Sequence, residues 1–173
     1  MKMKTIIISS STSKESKSFI LCKEVAEKLI NQGIECNLID ARLLDLKSSH
    51  STKTPSMIEA TKKINEADNL IIGMGVHNYS VNDSLKIMLD TCFDKVNGKF
   101  FGVLCAAGGE KSYLATMHLT QICMNQWKMI QLPRILYATG KDFTENKVTS
   151  TVLKEWMSEF VAEYISIGKK LLN

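Results

Sequence analysis

Short apolar runs alternate with amphipathic stretches five times along this chain, and that alternation restricts the fold more than any other feature. Lys4 to Ser9 is the first apolar run, and Leu70-Ile71-Ile72 lies at the heart of the third. Such near-continuous apolar runs suit strands covered on both faces. Between them lie segments of helical period. The first runs from about Lys17 to Asn31, with Phe19, Cys22, Val25, Ala26 and Leu29 on one face and Gly33 as its stop. The second strand spans Ile34 to Ile39, and a polar loop follows from Asp40 to Lys53. Thr54-Pro55 then reads as an N-cap and first turn for a helix carrying Met57, Ile58, Ile64 and Ala67. Asn69 to Gly75 is the third strand, and Asn82 or Asp83 caps a helix holding Leu85, Met88, Leu89, Cys92 and Phe93. Lys99 to Ala106 is the fourth strand and Lys111 to Lys128 the fourth helix. Met129 to Ala138 forms a fifth strand broken by Pro133. The last helix runs from about Lys147 to Leu171, with Val152, Trp156, Phe160, Val161, Ile165 and Gly168 on its inner stripe.

Five strand–helix units predict an α/β, doubly wound parallel sheet with helices on both faces. The 173 residues suit a single domain over residues 1–173 and leave little room for a second. Lys and Arg number 22 against 18 Asp and Glu, a net charge of +4, and no dense basic stripe appears, so nucleic acid is not an expected partner. The short apolar start, halted by Ser9-Ser10-Ser11-Thr12-Ser13, reads as a buried strand and not a signal peptide. No stretch is long enough to span a membrane, so a cytoplasmic protein without membrane partners is expected. The five cysteines, Cys22, Cys36, Cys92, Cys105 and Cys123, are scattered and contain no C-x-x-C pair, which argues against a metal site or a disulfide framework.

In a doubly wound sheet ligands sit beyond the carboxyl ends of the strands. Three loops there carry candidate chemistry. The first, Ser9 to Ser18, offers hydroxyls, backbone N–H groups and two lysines at a helix N-terminus, a combination suited to phosphate. It lacks the glycines of a Walker loop or a dinucleotide fingerprint. A polar loop with a serine N-cap is the plainer account. The second loop is Gly73-Met74-Gly75-Val76-His77-Asn78-Tyr79-Ser80, which offers amides and a ring to a flat aromatic ligand or simply turns into a helix with His77 solvated. The third, Cys105-Ala106-Ala107-Gly108-Gly109-Glu110-Lys111-Ser112, has small residues where backbone can approach a ligand. A nucleophilic Cys105 in a cysteine hydrolase is a rival there, although His118 has no evident route to the sulfur.

Together the loops resemble the NADPH-dependent FMN reductase family. Its first loop reads G-S-x-R-x-x-S-x-N, and Ser10, Ser11, Ser13, Ser16 and Ser18 fall at those places. Its second reads P-x-Y-N-x-S and continues L-K-N and Asp, matched in register by Gly75, His77, Asn78, Ser80, Leu85, Lys86 and Asp90. Gly98-Lys99 through Leu119 is similar to the family's third segment. The resemblance implies a flavodoxin-like, five-stranded parallel sheet of order 2-1-3-4-5. It implies FMN, with Ser10, Ser11, Ser13, Ser16, Lys17 and Ser18 around the phosphate. The ring would lie against Gly75, Val76, His77, Asn78, Tyr79 and Ser80, and against Ala106, Ala107, Gly108 and Gly109. NADPH or NADH is then the reductant, and a small-molecule acceptor such as free flavin or a quinone takes the electrons. The cofactor carries the chemistry, so no catalytic side chain is implied. A homodimer or homotetramer is implied as well. This chain departs at Ser13, where the family has arginine, which leaves the charge to Lys14 or Lys17, and at Gly75 and His77, where it has proline and tyrosine. A flavodoxin-type electron carrier is the main alternative, but carriers are typically acidic. A redox-inactive binding protein is a third reading.

Overall fold

The computed structural model describes residues 3–172. Five parallel strands, β1 (Lys4–Ser9), β2 (Glu35–Asp40), β3 (Asn69–His77), β5 (Phe100–Ala107) and β6 (Ile130–Thr139), pair in the order β2-β1-β3-β5-β6. With the two-residue strand β4 (Ser80–Val81) left out of the count, this is the expected flavodoxin-like order 2-1-3-4-5. Strands β7 (Phe143–Thr144) and β8 (Lys147–Val148) form a small separate hairpin. The helices are α1 (Lys17–Asn31), α2 (Pro55–Glu66), α3 (Asp83–Cys92), α4 (Ala115–Trp127) and α5 (Thr151–Leu171).

The central strands have two buried faces because their residues alternate between two cores. Ile6, Ile8, Ile72, Val103 and Cys105 meet α2, α3 and α4 through residues such as Met57, Ile64, Met88, Leu89 and Leu119. Ile7, Ile71, Phe100 and Leu104 meet α1 and α5 through Leu21, Val25, Met157, Phe160 and Tyr164. This period of two converts a nearly unbroken apolar run into a covered sheet.

Several expectations are corrected. Pro133 does not break its strand: β6 is continuous and takes up the proline where the pairing with β5 slips between Phe101 and Val103. Proline fits because β6 is an edge strand with a bulge, where a missing N–H is tolerated. The fourth helix starts at Ala115, after a 3-10 turn over Glu110–Ser112, and not at Lys111. The last helix starts at Thr151, capped by the Ser150 hydroxyl, because Lys147 and Val148 belong to the β7–β8 hairpin. Its buried stripe is Leu153, Met157, Phe160, Val161, Tyr164 and Gly168, whereas Val152 and Trp156 are 50% and 48% exposed. Ile58 of α2 is likewise exposed, and Ala60 and Thr61 are buried in its stead. Part of the polar Asp40–Lys53 loop is ordered as a 3-10 turn, Ala41–Leu43. No helix among the described residues is long and apolar enough to cross a membrane.

Candidate functional site

The parallel strands all deliver their carboxyl ends to one edge of the sheet, and the candidate residues are carried there. Strand β1 ends at Ser9, and the segment 11–15 is largely exposed before Ser16 caps α1 by accepting a hydrogen bond from the Phe19 amide at 3.1 Å. The hydroxyls of Ser16 and Ser18 lie 3.0 Å apart and are buried. Ser10 is fully buried, and its hydroxyl lies 2.7 Å from the Gly73 carbonyl. These three serines therefore shape the loop from inside. Ser11, Thr12, Ser13, Lys14 and Lys17 keep their polar groups toward solvent at the N-terminus of a 15-residue helix. That donor set, hydroxyls and ammonium groups at a positive helix end, is the chemistry a phosphate dianion needs.

The second loop is a hairpin. Val76 and His77 pair with Val81 and Ser80, and Asn78 and Tyr79 make the turn with φ of 48° and 59°. Both values lie in the left-handed region, as in a two-residue type I′ turn. His77, Asn78 and Tyr79 are exposed on this tongue. The His77 ring lies 3.7 Å from the Asp83 carboxylate, and Ser80 bonds to His118 Nδ1 of α4 at 2.9 Å. In the third loop Ala107 is buried, Ala106 half-buried, and Gly108 and Gly109 open outward. The Tyr137 hydroxyl donates to the Gly109 carbonyl at 2.6 Å and holds this loop to β6. Partial burial pushes the Tyr137 hydroxyl pKa up, so it remains a proton donor.

A cleft of about 800 Å³ opens between these loops, lined by Val76, Asn78, Tyr79, the run Gly108–Ser112 and Thr139-Gly140-Lys141. Gly75, Gly108 and Gly109 have nothing within 4 Å of where a side chain would stand, which leaves room for a flat ring against backbone. A Cβ at Gly140 would stand 3.2 Å from the Lys17 ammonium, so the phosphate-side loop meets the far wall of the cleft. Glu110 and Lys141 pair at 3.5 Å between the exits of β5 and β6. The cleft lining, which holds Val76, Asn78, Tyr79, Gly108 and Gly109 of the expected contacts, fits a flat ring, and the donors of residues 11–17 suit a phosphate although none of them lines the cleft.

Structure also removes the hydrolase rival. Cys105 has no exposed surface, and burial pushes its thiol up to about 12, away from the thiolate a nucleophile requires. His118 is engaged with Ser80 instead. Sequence reasoning missed the wall after β6, although the same carboxyl-end rule points to it. It also missed Asn82, whose side chain makes no capping bond.

The sequence profile of the NADPH-dependent FMN reductase family matches residues 3–144. The chain belongs to that family. Membership places it among FMN-dependent oxidoreductases. No curated protein matches it. Solved structures share the fold of this family member at low identity. An apo NADH:FMN oxidoreductase is 16% identical with a TM-score of 0.80, over 95% of this chain and 90% of its own. An oxidoreductase from Corynebacterium diphtheriae is 18% identical with a TM-score of 0.79, over 98% and 99%. The NAD(P)H:(acceptor) oxidoreductase FerB from Paracoccus denitrificans is 17% identical with a TM-score of 0.78, over 98% of each chain.

Proposed function

We propose that this chain, residues 1–173 as one domain, is an NAD(P)H oxidoreductase that uses FMN to serve a small acceptor such as free flavin or a quinone. FMN, when bound, supplies the ring that accepts hydride from a nicotinamide and passes it on. The protein's part is to bind, orient and shield. Ser11, Ser13 and Lys17, with the backbone amides at the start of α1, hold the phosphate, and Lys14 adds a second point charge. Ser10, Ser16 and Ser18 set the shape of that loop. Gly75 through Ser80 and Ala106 through Gly109 border the ring, and the open glycines let backbone approach it closely. The outer part of the cleft, near Lys141 and Gly140, receives the anionic nicotinamide nucleotide and then the acceptor. No side chain has to act as a general acid or base. A reducing, cytoplasmic setting belongs to the same reading and is supported by five free cysteines.

The observation that carries this reading is the convergence of an anion-suited helix start with an open, glycine-lined cleft on one sheet edge, in a chain of this family. The test is to load purified protein with FMN and add NADPH or NADH without oxygen. The flavin band bleaches rapidly with at least one of the two and returns on adding a quinone. A bound flavin that ignores both would make the protein an electron carrier, and no uptake of FMN would defeat either role.

A further inference from the structure

Strand order reverses between β1 and β3, and one buried side chain ties the two loops that leave these strands. Asn82 is 2% exposed. Its Nδ2 donates to the Ser10 carbonyl at 3.1 Å and to the Ser84 hydroxyl at 2.8 Å. Its Oδ1 accepts from the Gly75 amide at 3.2 Å and lies 3.0 Å from the Ser10 hydroxyl. Ser84 closes the ring by donating to the same Ser10 carbonyl at 2.6 Å. A backbone N–H only donates and a carbonyl only accepts, so Gly75 and Ser10 together fix which end of the amide faces which loop. Asn82 stands at the N-cap of α3 yet gives that helix no capping bond. Apart from the one to the Ser84 hydroxyl, its hydrogen bonds go to Ser10, where the phosphate-side loop begins, and to Gly75, where the ring-side loop begins.

We infer that Asn82 is a positioning residue that locks the phosphate-side loop to the ring-side loop, so that one cofactor engages both at once. The inference rests on the FMN reading above. Binding a ligand by two ends is strongest when the two receptors are already in register, because no ordering is then required on binding. A ligand held by one end gains little from that register. Loss of Asn82 should therefore weaken FMN more than riboflavin, which has the ring and no phosphate. A general loss of structure would weaken both alike.

The nature of the bonds gives a second signature. In Asn82→Asp one carboxylate oxygen still accepts from Gly75, but the other faces the Ser10 carbonyl, acceptor against acceptor. Protonation restores a donor there. The groups bonded to Asn82 are all uncharged. Of the charged or titratable groups around it, His77 of β3 and Asp83 of α3 face each other on the exposed side, and His118 of α4 is bonded to Ser80.

The experiment measures dissociation constants for FMN and riboflavin by flavin fluorescence, from about pH 5 to about pH 8, for wild type, Asn82→Leu and Asn82→Asp, each checked for its flavin-free melting temperature. Asn82→Leu should lose FMN affinity by about tenfold or more, with a smaller loss for riboflavin. Asn82→Asp should be weak at neutral pH and approach wild type as the pH falls, taken as the ratio to wild type at each pH. If Asn82→Leu does not fold, the pH response of Asn82→Asp decides alone. Equal losses for the two flavins, or FMN affinities unchanged within about twofold at every pH, overturn the inference and leave the FMN site standing. A wild-type chain that takes up no FMN overturns both.

Discussion

Cys105 lies near the exit of β5 with its thiol pushed up to about 12 by burial, and Cys123 behind it is pushed up equally. Burial raises Cys22 still further. The consequence for stability has a definite sign. Below the ordinary thiol value of 9.0 these groups are protonated in folded and unfolded chains, and pH has no hold on them. Above it the unfolded chain releases protons that the folded chain retains, so unfolding is favoured as pH rises. Each such cysteine contributes up to about 1.4 kcal/mol of lost stability per pH unit in that window. Melting temperatures should therefore fall steeply from about pH 9 upward, and Cys105→Ala with Cys123→Ala should flatten the slope. A slope unchanged by the two substitutions would refute the assignment. The same burial means that native protein should resist thiol alkylation, with half-buried Cys36 the first to react. At this scale the candidate site was partly legible. The hydroxyls and lysines of residues 11–17 announce themselves as a cluster, whereas Asn82 looks like an ordinary helix cap. Its partners include Ser10, 72 residues away, which no local pattern reveals.

Helix α5 packs on β5 through a place where only glycine fits. A Cβ at Gly102 would stand 2.6 Å from Phe160 Cζ and 3.4 Å from Tyr164 Cδ2, and both rings are fully buried. The rings of Phe160 and Tyr164 are stacked, with centroids 6.1 Å apart, so neither can swing aside alone. Gly102→Ala should destabilise the fold by about 1–3 kcal/mol, the usual range for overpacking a filled core. Chemical denaturation would measure it, and a neutral result would mean that α5 shifts freely on the sheet. The sequence places the end of this helix, and Phe160, Val161 and Gly168 of its inner stripe, as the structure does, but starts it four residues early and exchanges the other stripe positions. Val152 with Trp156 and Leu153 with Met157 are both i, i+4 pairs that lead into Phe160 and Val161, and helical period alone admits either stripe. Phe160 and Val161 belong to both stripes, and the burial of Leu153 and Met157 shows that the second faces the sheet. The β-strands were easier to read because a continuous apolar run bounded by turns has few alternatives. The β3–β4 hairpin was not, since Asn-Tyr lacks the glycine that usually signals such a turn.

Across the whole molecule the positive balance of +4 suits a protein that receives anionic nucleotides better than it suits an acidic electron carrier. A second large-scale feature is apolar. Leu114, Met117 and Met124 of the α4 region are 73%, 41% and 48% exposed, and the neighbouring β3–β4 tongue adds exposed Tyr79. The Ser80–His118 bond joins the tongue to the helix, so these residues lie on adjoining elements, of which Tyr79 lines the cleft. Exposed apolar residues that cluster and adjoin polar rims mark association surfaces in soluble proteins. We propose that this face forms the twofold interface of a homodimer, or one interface of a homotetramer. Light scattering after size exclusion should give twice or four times the 19.4 kDa chain mass. Leu114→Glu with Met117→Glu places two like charges near the axis and should shift the protein to monomer while its melting temperature in dilute solution changes little. Because the tongue that carries Tyr79 is bonded to α4 through Ser80 and lines the cleft, the monomeric variant should also bind FMN less tightly. A wild-type monomer at all concentrations, or a dimer that ignores both glutamates, would move the interface elsewhere and leave Leu114 and Met117 as isolated surface residues.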